Sequence, residues 1–556
     1  MKISETLSVS VILLFSFFIS FYFGHQGLMP LDDLQNFNSG YRTLSGDFPF
    51  RNYYSITGPI LDIWQGKIYK IFGISWQSFL IHASLMNCLY SLSIFIFLKK
   101  LKFNKINCIF YSLSAGLLMY PPSGNPTVEH NSLILSSIAT LIFLIALMEN
   151  KKNYLFFSIL IFFIAFFTKQ VPTSYFVIFC ILIYIFKIFS NYNIETLIYV
   201  FIYTIIVSLT FIIYFKLNGV SFEDIFNQYI LIAMNLGENR FIDISFDFVY
   251  EKVSKLFFLL FLLIPAFYLS YVTKKLDVIL ILVGLSIVIA LYEVHSNNQP
   301  ITFSLLPLYI SLFYHFYSKE SKENVKLEFI KYFLYLIIFY AFFRILRYEL
   351  FYIFILVFVI LIFYLKYKPT INNLLLIYLF ITSCFYFEKY IKIRTWDDLN
   401  KNDLITSFDA GIIDTKLKHL KWKTIYFENI DEEKKLIFST LNYLRNLDKD
   451  INYILITDYQ IYNVILDRKD FSPVKYWFKD ATYPSKFHIL RKNFENFFKS
   501  KIIKNNVTQI IVDNTAKFKS EELSEFSWLY NCLEKKNNFS QQKYLDIFLI
   551  KKNCIK

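Results

Sequence analysis

The chain has 556 residues, 56% of them hydrophobic and 20% aromatic, with 57 Lys and Arg set against 43 Asp and Glu. Soluble domains average about 45–50% apolar residues, and here the excess is gathered into uncharged runs such as LSVSVILLFSFFISFYFG from Leu7 and YLFFSILIFFIAFFT from Tyr154. The formal charge of +14 lies mostly in short lysine-rich links between those runs, as in topology-setting loops. It does not form a folded basic face, so no nucleic-acid partner is expected.

Runs of this length match the hydrocarbon core of a bilayer. Only helices or closed barrels span lipid, and these runs lack the alternation of barrel strands. The chain therefore reads as an α-helical polytopic membrane protein. Heavy use of Phe, Ile, Lys and Asn beside only 13 Gly suggests an AT-rich bacterial genome, which points to the inner (plasma) membrane.

In chain order, the run from Leu7 is read as a retained first span, because no small-residue cleavage site follows it. With the N-terminus cytoplasmic, residues 25–78 form a long outer loop. The next run, Phe79 to Leu98, ends at Lys99, Lys100, Lys102 and Lys105, a cytoplasmic mark. Further spans flank a short outer loop at Tyr120–His130, return to Lys151 and Lys152, and make a tight outer turn at Lys169–Pro172. A second long outer segment starts at Lys216. Later runs carry lysine-rich links on the same side, for a total of about 13 spans. That odd count divides the chain into a membrane region, 1–387, and an extracytoplasmic region, 388–556.

The second region is charged, with apolar bursts of five or six residues. INYILIT from Ile451, VTQIIVDN from Val507 and YLDIFLI from Tyr544 read as buried strands, and FENFFKSKIIK from Phe494 and EELSEFSWLYNCL from Glu521 as helices. The alternation predicts a small C-terminal α/β domain. It holds no phosphate-cradling Gly-rich loop. Cys88, Cys108, Cys180 and Cys384 fall in or at spans and read as apolar fillers. Cys532 and Cys554 share the outer region, where an oxidising compartment permits a disulfide that spacing alone does not prove.

Polar residues at the membrane rim need a reason. In the first outer loop, Phe37, Tyr41 and Leu44 lie on one face of a helix opening near Asp32 and Asp33. The simplest role for those acids is to start the helix, where carboxylates cap donors and suit the dipole. Glu129, in NPTVEHN, reads equally as a solvated loop residue, and Lys169, in FFTKQVPT, as a snorkelling lysine.

The same residues also carry a family likeness. An acid soon after the first span is followed by Gly46-Asp47-Phe48-Pro49, an aromatic stretch, Gly58-Pro59-Ile60-Leu61 and Phe72-Gly73-Ile74-Ser75. This order resembles the first outer loop of GT-C membrane glycosyltransferases, in the branch of protein O-mannosyltransferases and lipid A aminoarabinose transferases. The likeness covers about Met1 to Thr173. Where several relatives carry Lys-Pro-Pro, this chain has Thr57-Gly58-Pro59, so the family lysine directed at the donor phosphate has no counterpart there.

The resemblance implies an inverting transfer of a sugar from a polyprenyl-phosphate donor to an acceptor hydroxyl on a glycan, lipid or protein at the outer membrane face. A carboxylate at the rim would take the hydroxyl proton; by motif position it is Asp33 or Asp32. A cation would meet the leaving phosphate, with Arg51, Arg42 and Lys169 as candidates. Glu129 would orient acceptor or sugar, and His130, Gln170, Glu293 and His295 could join the contact. No particular cofactor is implied, and metal dependence stays open, since the Asp pair with Glu129 could serve with or without a divalent cation. The alternative reading is a transporter or flippase, or a polymerase or ligase, acting on lipid-linked glycans. Transporters usually show internal repeats and Gly- or Pro-broken spans, and neither is found here.

Overall fold

The computed structural model describes residues 4–119, 124–190, 194–234, 399, 404–513, 516–536, 544–551 and 554. The expected spans after the second long outer segment begins, together with Cys384, Glu293 and His295, lie outside the described residues.

The first part is helical: α1 (Glu5–Phe23), α2 (Pro30–Leu44), α3 (Ile60–Phe72), α4 (Trp76–Lys100), α5 (Lys105–Met119), α6 (Val128–Glu149), α7 (Lys152–Phe166), α8 (Gln170–Ser190) and α9 (Ile194–Leu217). Among the described residues, four helices are long and apolar enough to cross a membrane: α1, α4, α6 and the stretch Glu195–Leu217 of α9. The helices α5 and α7 are shorter and also apolar. Polar side chains pin them together where lipid offers no partner. The Asn87 amide donates to Ser16 O and Gly116 O, both at 2.8 Å, joining α4 to α1 and α5.

Both ends of this bundle carry information about sidedness. At one end Lys99 pairs with Glu5, Lys100 with Glu149 at 2.8 Å, Lys151 with Glu149 at 2.9 Å, and Lys152 with Glu195. Exposed pairs of this kind add little stability. Their value is topological, since the start of α1 and the lysine links after α4 and α6 gather on one side, as the charge pattern predicts.

At the opposite end sits the C-terminal layer. Its helix α10 (Ile430–Asn446) and helix α11 (Arg491–Lys504) flank a sheet of strands β3 (Asn452–Ile456), β4 (Val507–Asp513), β5 (Leu533–Lys535) and β6 (Leu545–Ile550). A two-residue pair, β1 (Phe408–Asp409) with β2 (Lys421–Trp422), precedes it. The sheet order is β3-β4-β6-β5, with β3 and β4 parallel and the remaining pairs antiparallel.

Strand alternation explains the apolar bursts. Tyr453, Leu455 and Ile511 pack with Leu436, Leu441 and Leu444 of α10, while Ile454, Ile456, Ile510 and Val512 pack with Phe494, Phe498 and Ile502 of α11. Covered on both faces, such strands read as continuous rather than alternating hydrophobic segments. The expected helix from Glu521 is instead a 3₁₀ turn, Ser520–Glu525, and one α-turn, Ser527–Tyr530. Its buried residues Leu523, Phe526 and Leu529 recur every three positions, the repeat that eclipses in a 3₁₀ helix.

Cys532 and Cys554 form a disulfide across a separation of 22 residues. Chain-entropy arguments give such a loop about 3 kcal/mol. Reduction is therefore expected to lower the melting temperature of this layer, read by a thermal scan with and without dithiothreitol.

The core on the α10 side does not stop at the sheet. It continues through Leu28, Leu34, Phe37 and Tyr41 to Tyr69, Trp76 and Phe79, so the segment between α1 and α4 and the C-terminal layer share one apolar interior. Backbone contacts fix the seam: Lys421 N donates to His25 O at 2.8 Å, and Tyr54 N to Pro473 O at 2.7 Å.

Candidate active site

The helix α2 starts with Pro30 at its first turn, where a missing N–H costs nothing. Met29, at the cap position, offers no side-chain acceptor. Asp33 fills that role: its buried carboxylate accepts the Met29 amide at 2.8 Å. Asp32, one residue earlier and about 100° around the helix, points elsewhere and is exposed. The two acids that looked equivalent in sequence thus occupy different environments.

The Asp32 side chain reaches solvent while protein stands close around its carboxyl, and this half-open setting is the recess. Surrounding protein strips enough water from its carboxyl to raise it above the usual carboxylate range, and the negative charge of Glu129 pushes the same way against Lys517 and Lys169. Glu129 stands in the first turn of α6 and pairs with Lys169, which follows α7. The C-terminal layer supplies the rest. Tyr476 lies close to Gln35 and feels the charges of Asp32, Glu129 and Lys169. Tyr426 donates to Asp458 at 3.0 Å, and the Lys517 amide donates to the other Asp458 oxygen at 3.3 Å. The Lys517 ammonium lies 4.9 Å from the centre of the Phe478 ring.

The remaining candidates are engaged in holding the loop. Arg42 is buried, donating from Nε to Asp47 at 3.0 Å and from Nη1 to Val474 O at 3.3 Å, with Asp470 at 3.7 Å and the Tyr53 ring beneath it. Arg51 is exposed and binds Asn52, Asn218 O and Gly46 O. The Gln170 amide donates to Ile56 O and Tyr229 O. His130 is buried at the start of α6, with its Nδ1 2.6 Å from Thr127 Oγ1. Among the described residues no group of three or more His, Cys, Asp or Glu is arranged to hold a metal ion.

Sequence reasoning passed over a second buried cluster. Asp62 of α3 is fully buried and accepts from Ser39 at 2.8 Å, Tyr53 at 2.7 Å and Lys475, whose Nζ reaches both carboxylate oxygens at 2.8 and 2.7 Å. Lys475 also donates to Thr57 at 3.2 Å. A lysine of the C-terminal layer therefore reaches Thr57 in the loop before α3.

Gly58 lies tight against the end of α7 and the turn that follows it. Its amide donates to Thr168 O at 3.1 Å, and a Cβ there would fall 1.7 Å from the Phe167 carbonyl oxygen. Gly58→Ala is expected to cost about 1–3 kcal/mol through overpacking and to part the loop from the turn bearing Lys169. A thermal melt of the purified variant checks this.

No known family model and no curated protein matches the chain. Among solved structures it is similar to the crystal structure of ArnT from Cupriavidus metallidurans bound to undecaprenyl phosphate, at 10% identity and TM-score 0.44, covering 99% of this chain and 98% of that one. It is also similar to the Archaeoglobus fulgidus oligosaccharyltransferase in complex with Zn and sulfate, at 12% identity and TM-score 0.34, covering 91% of this chain and 68% of that one.

Proposed function

We propose that the chain is a membrane glycosyltransferase that passes a sugar from a polyprenyl-phosphate donor to an acceptor hydroxyl, with inversion, on the outer side of a bacterial plasma membrane. The observation that carries this reading is the recess at Asp32. An ionisable, water-reachable carboxyl with a raised pKa stands beside two lysines, at the outer ends of apolar helices where a lipid-borne phosphate would arrive. The order of motifs in the first outer loop supports the same reaction class.

In this reading Asp32 is the general base. The acceptor oxygen attacks the anomeric carbon as its proton passes to Asp32, and the bond from that carbon to the phosphate oxygen breaks, releasing polyprenyl phosphate. A carboxyl whose pKa is raised is a stronger base than an ordinary aspartate. Lys169 and Lys517 stand to meet the charge gathering on the leaving phosphate. Glu129 holds Lys169 in place and keeps the Asp32 carboxyl basic. Asp33 caps α2, and Arg42, Arg51 and Gln170 hold the loop that presents Asp32. Glu293 and His295 remain further candidates for acceptor or sugar contact. The membrane region 1–387 would carry the donor site and the region 388–556 would close it from outside, with the N-terminus cytoplasmic.

Lipid and glycan profiling of a deletion strain tests the reaction. Loss of one glycan modification together with accumulation of its polyprenyl-phosphate sugar on the outer leaflet supports the transferase. Accumulation of that donor on the inner leaflet instead supports a flippase and rejects it.

A further inference from the structure

The segment that leaves the recess through Tyr476 and Phe478 turns at Asp480 and ends in Ser485-Lys486-Phe487-His488-Ile489 before entering α11. Phe487 is 95% exposed and Ile489 82%, the two most exposed large apolar side chains among the described residues of the C-terminal layer. They alternate with His488 and follow Lys486, which is exposed. A soluble protein seldom leaves two bulky apolar side chains this open at one loop tip. The tip is held in shape: Ser485 N donates to Asp480 Oδ1 at 2.9 Å, Leu490 N to His488 Nδ1 at 3.0 Å, and Arg491 to Pro484 O at 3.0 Å.

Its surroundings indicate what it meets. The helix that follows the tip lies along the first outer loop: Phe494 and Phe497 pack edge-on against Tyr54, at 5.2 and 5.7 Å, and Lys501 Nζ donates to Arg51 O at 2.6 Å. Arg51 in turn grips Asn218 O at the end of α9. Beside it, Leu217 at the end of α9 is 82% exposed and Phe222 69%, and Phe222 stacks with Phe226, so large apolar side chains stay open where the apolar helix ends. The helix bearing the tip is thereby tied, through Lys501 near its far end, to the loop segment that meets the end of apolar α9.

We infer that Phe487 and Ile489 dip into the outer leaflet of the membrane the chain itself spans, with Lys486 and Lys492 at the level of anionic headgroups. The apolar pair sits where acyl chains would cover it, and the exposed lysines complement anionic lipid. The tip thus anchors the outer layer to the bilayer beside the recess. This rests on the membrane-spanning reading alone and is independent of the proposed transfer reaction.

The test uses the full chain with Phe487→Trp, reconstituted in vesicles of phosphatidylcholine and phosphatidylglycerol. The emission of the parent chain is subtracted so that only the added indole is read. Insertion predicts a blue-shifted emission that lipids brominated near the headgroup end of the acyl chain quench at least twofold, with weaker quenching by bromines near the chain terminus. An unshifted emission, quenched by aqueous iodide and indifferent to brominated lipid, would overturn the proposal. So would a blue-shifted emission that neither quencher reaches, which would place the tip against protein, either the rest of this chain or a second copy. Ile489→Trp, read in the same way, guards against misfolding of a single variant: quenching by neither bromine position at both sites in folded protein rejects insertion.

Discussion

Replacing Asp32 with Asn is expected to lower transfer by about 10²–10⁴-fold, the usual contribution of a positioned general base, while leaving the folded protein intact. The pH dependence follows from the direction of its shift. Desolvation, with Glu129 adding to it, holds the Asp32 carboxyl above the ordinary carboxylate range. A rate that needs the ionised form is therefore complete above that raised value and falls as pH drops through it. Stability runs the other way. The ionised carboxyl is disfavoured in the fold, so its cost appears as pH rises past the unfolded value and persists at neutral pH. Asp32→Asn should thus melt at the same temperature as the parent or higher, the pattern of a group retained for chemistry at some expense to stability. Asp33→Asn should behave in the opposite sense, because weakening the acceptor for the Met29 amide costs stability first. Initial rates across pH 4–8, with melts on the same preparations, separate the two residues.

Removing the carboxylate of Asp62 is expected to be the most damaging change to the fold. Asp62→Ala strands the buried Lys475 ammonium and leaves the Tyr53 and Ser39 hydroxyls without their acceptor. Breaking a buried ion pair from one side costs about 3–5 kcal/mol. Replacing both partners by apolar residues, as in Asp62→Leu with Lys475→Met, should recover much of that loss, since no lone charge then remains buried. Because Lys475 and Asp470 belong to the C-terminal layer and Asp62 and Arg42 to the first outer loop, the single variant should also loosen one against the other. Limited proteolysis, scored by release of a C-terminal fragment, reads that separation. Equal protection of parent and Asp62→Ala would show that the seam is held elsewhere.

Much of the architecture was legible because its signals are local. Uncharged runs marked the spans, lysines marked one side, and Phe37 and Tyr41 marked the buried face of α2. The three long apolar bursts of the C-terminal layer became the adjacent strands β3, β4 and β6 of a sheet covered on both faces. The segment after Glu521 misled because its apolar spacing was assigned to the commoner helical period.

The site was legible only in its first half. Asp32 and Asp33 are adjacent in sequence, and only the position of Met29 N–H shows which of them caps the helix. Arg42 looked like a free cation, yet the Gly46 turn, with φ of +93°, folds Asp47 back onto it. That local signal was readable. Tyr476, Lys517, Tyr426 and Asp458 carried none, for they come from segments 394 to 485 residues beyond Asp32 and reach the recess only because two regions share a core. The same long-range packing brings Lys475 to Thr57.

A polyprenyl phosphate bearing a photoreactive group on its first isoprene unit, irradiated with the chain in native membranes, probes whether the recess receives a lipid-borne phosphate. Labelling should fall on the peptides containing Asp32, the Glu129–Lys169 pair and Lys517, and unlabelled polyprenyl phosphate should compete it away. Label confined to peptides remote from all three, or indifferent to competitor, would contradict the placement of the donor beside Asp32.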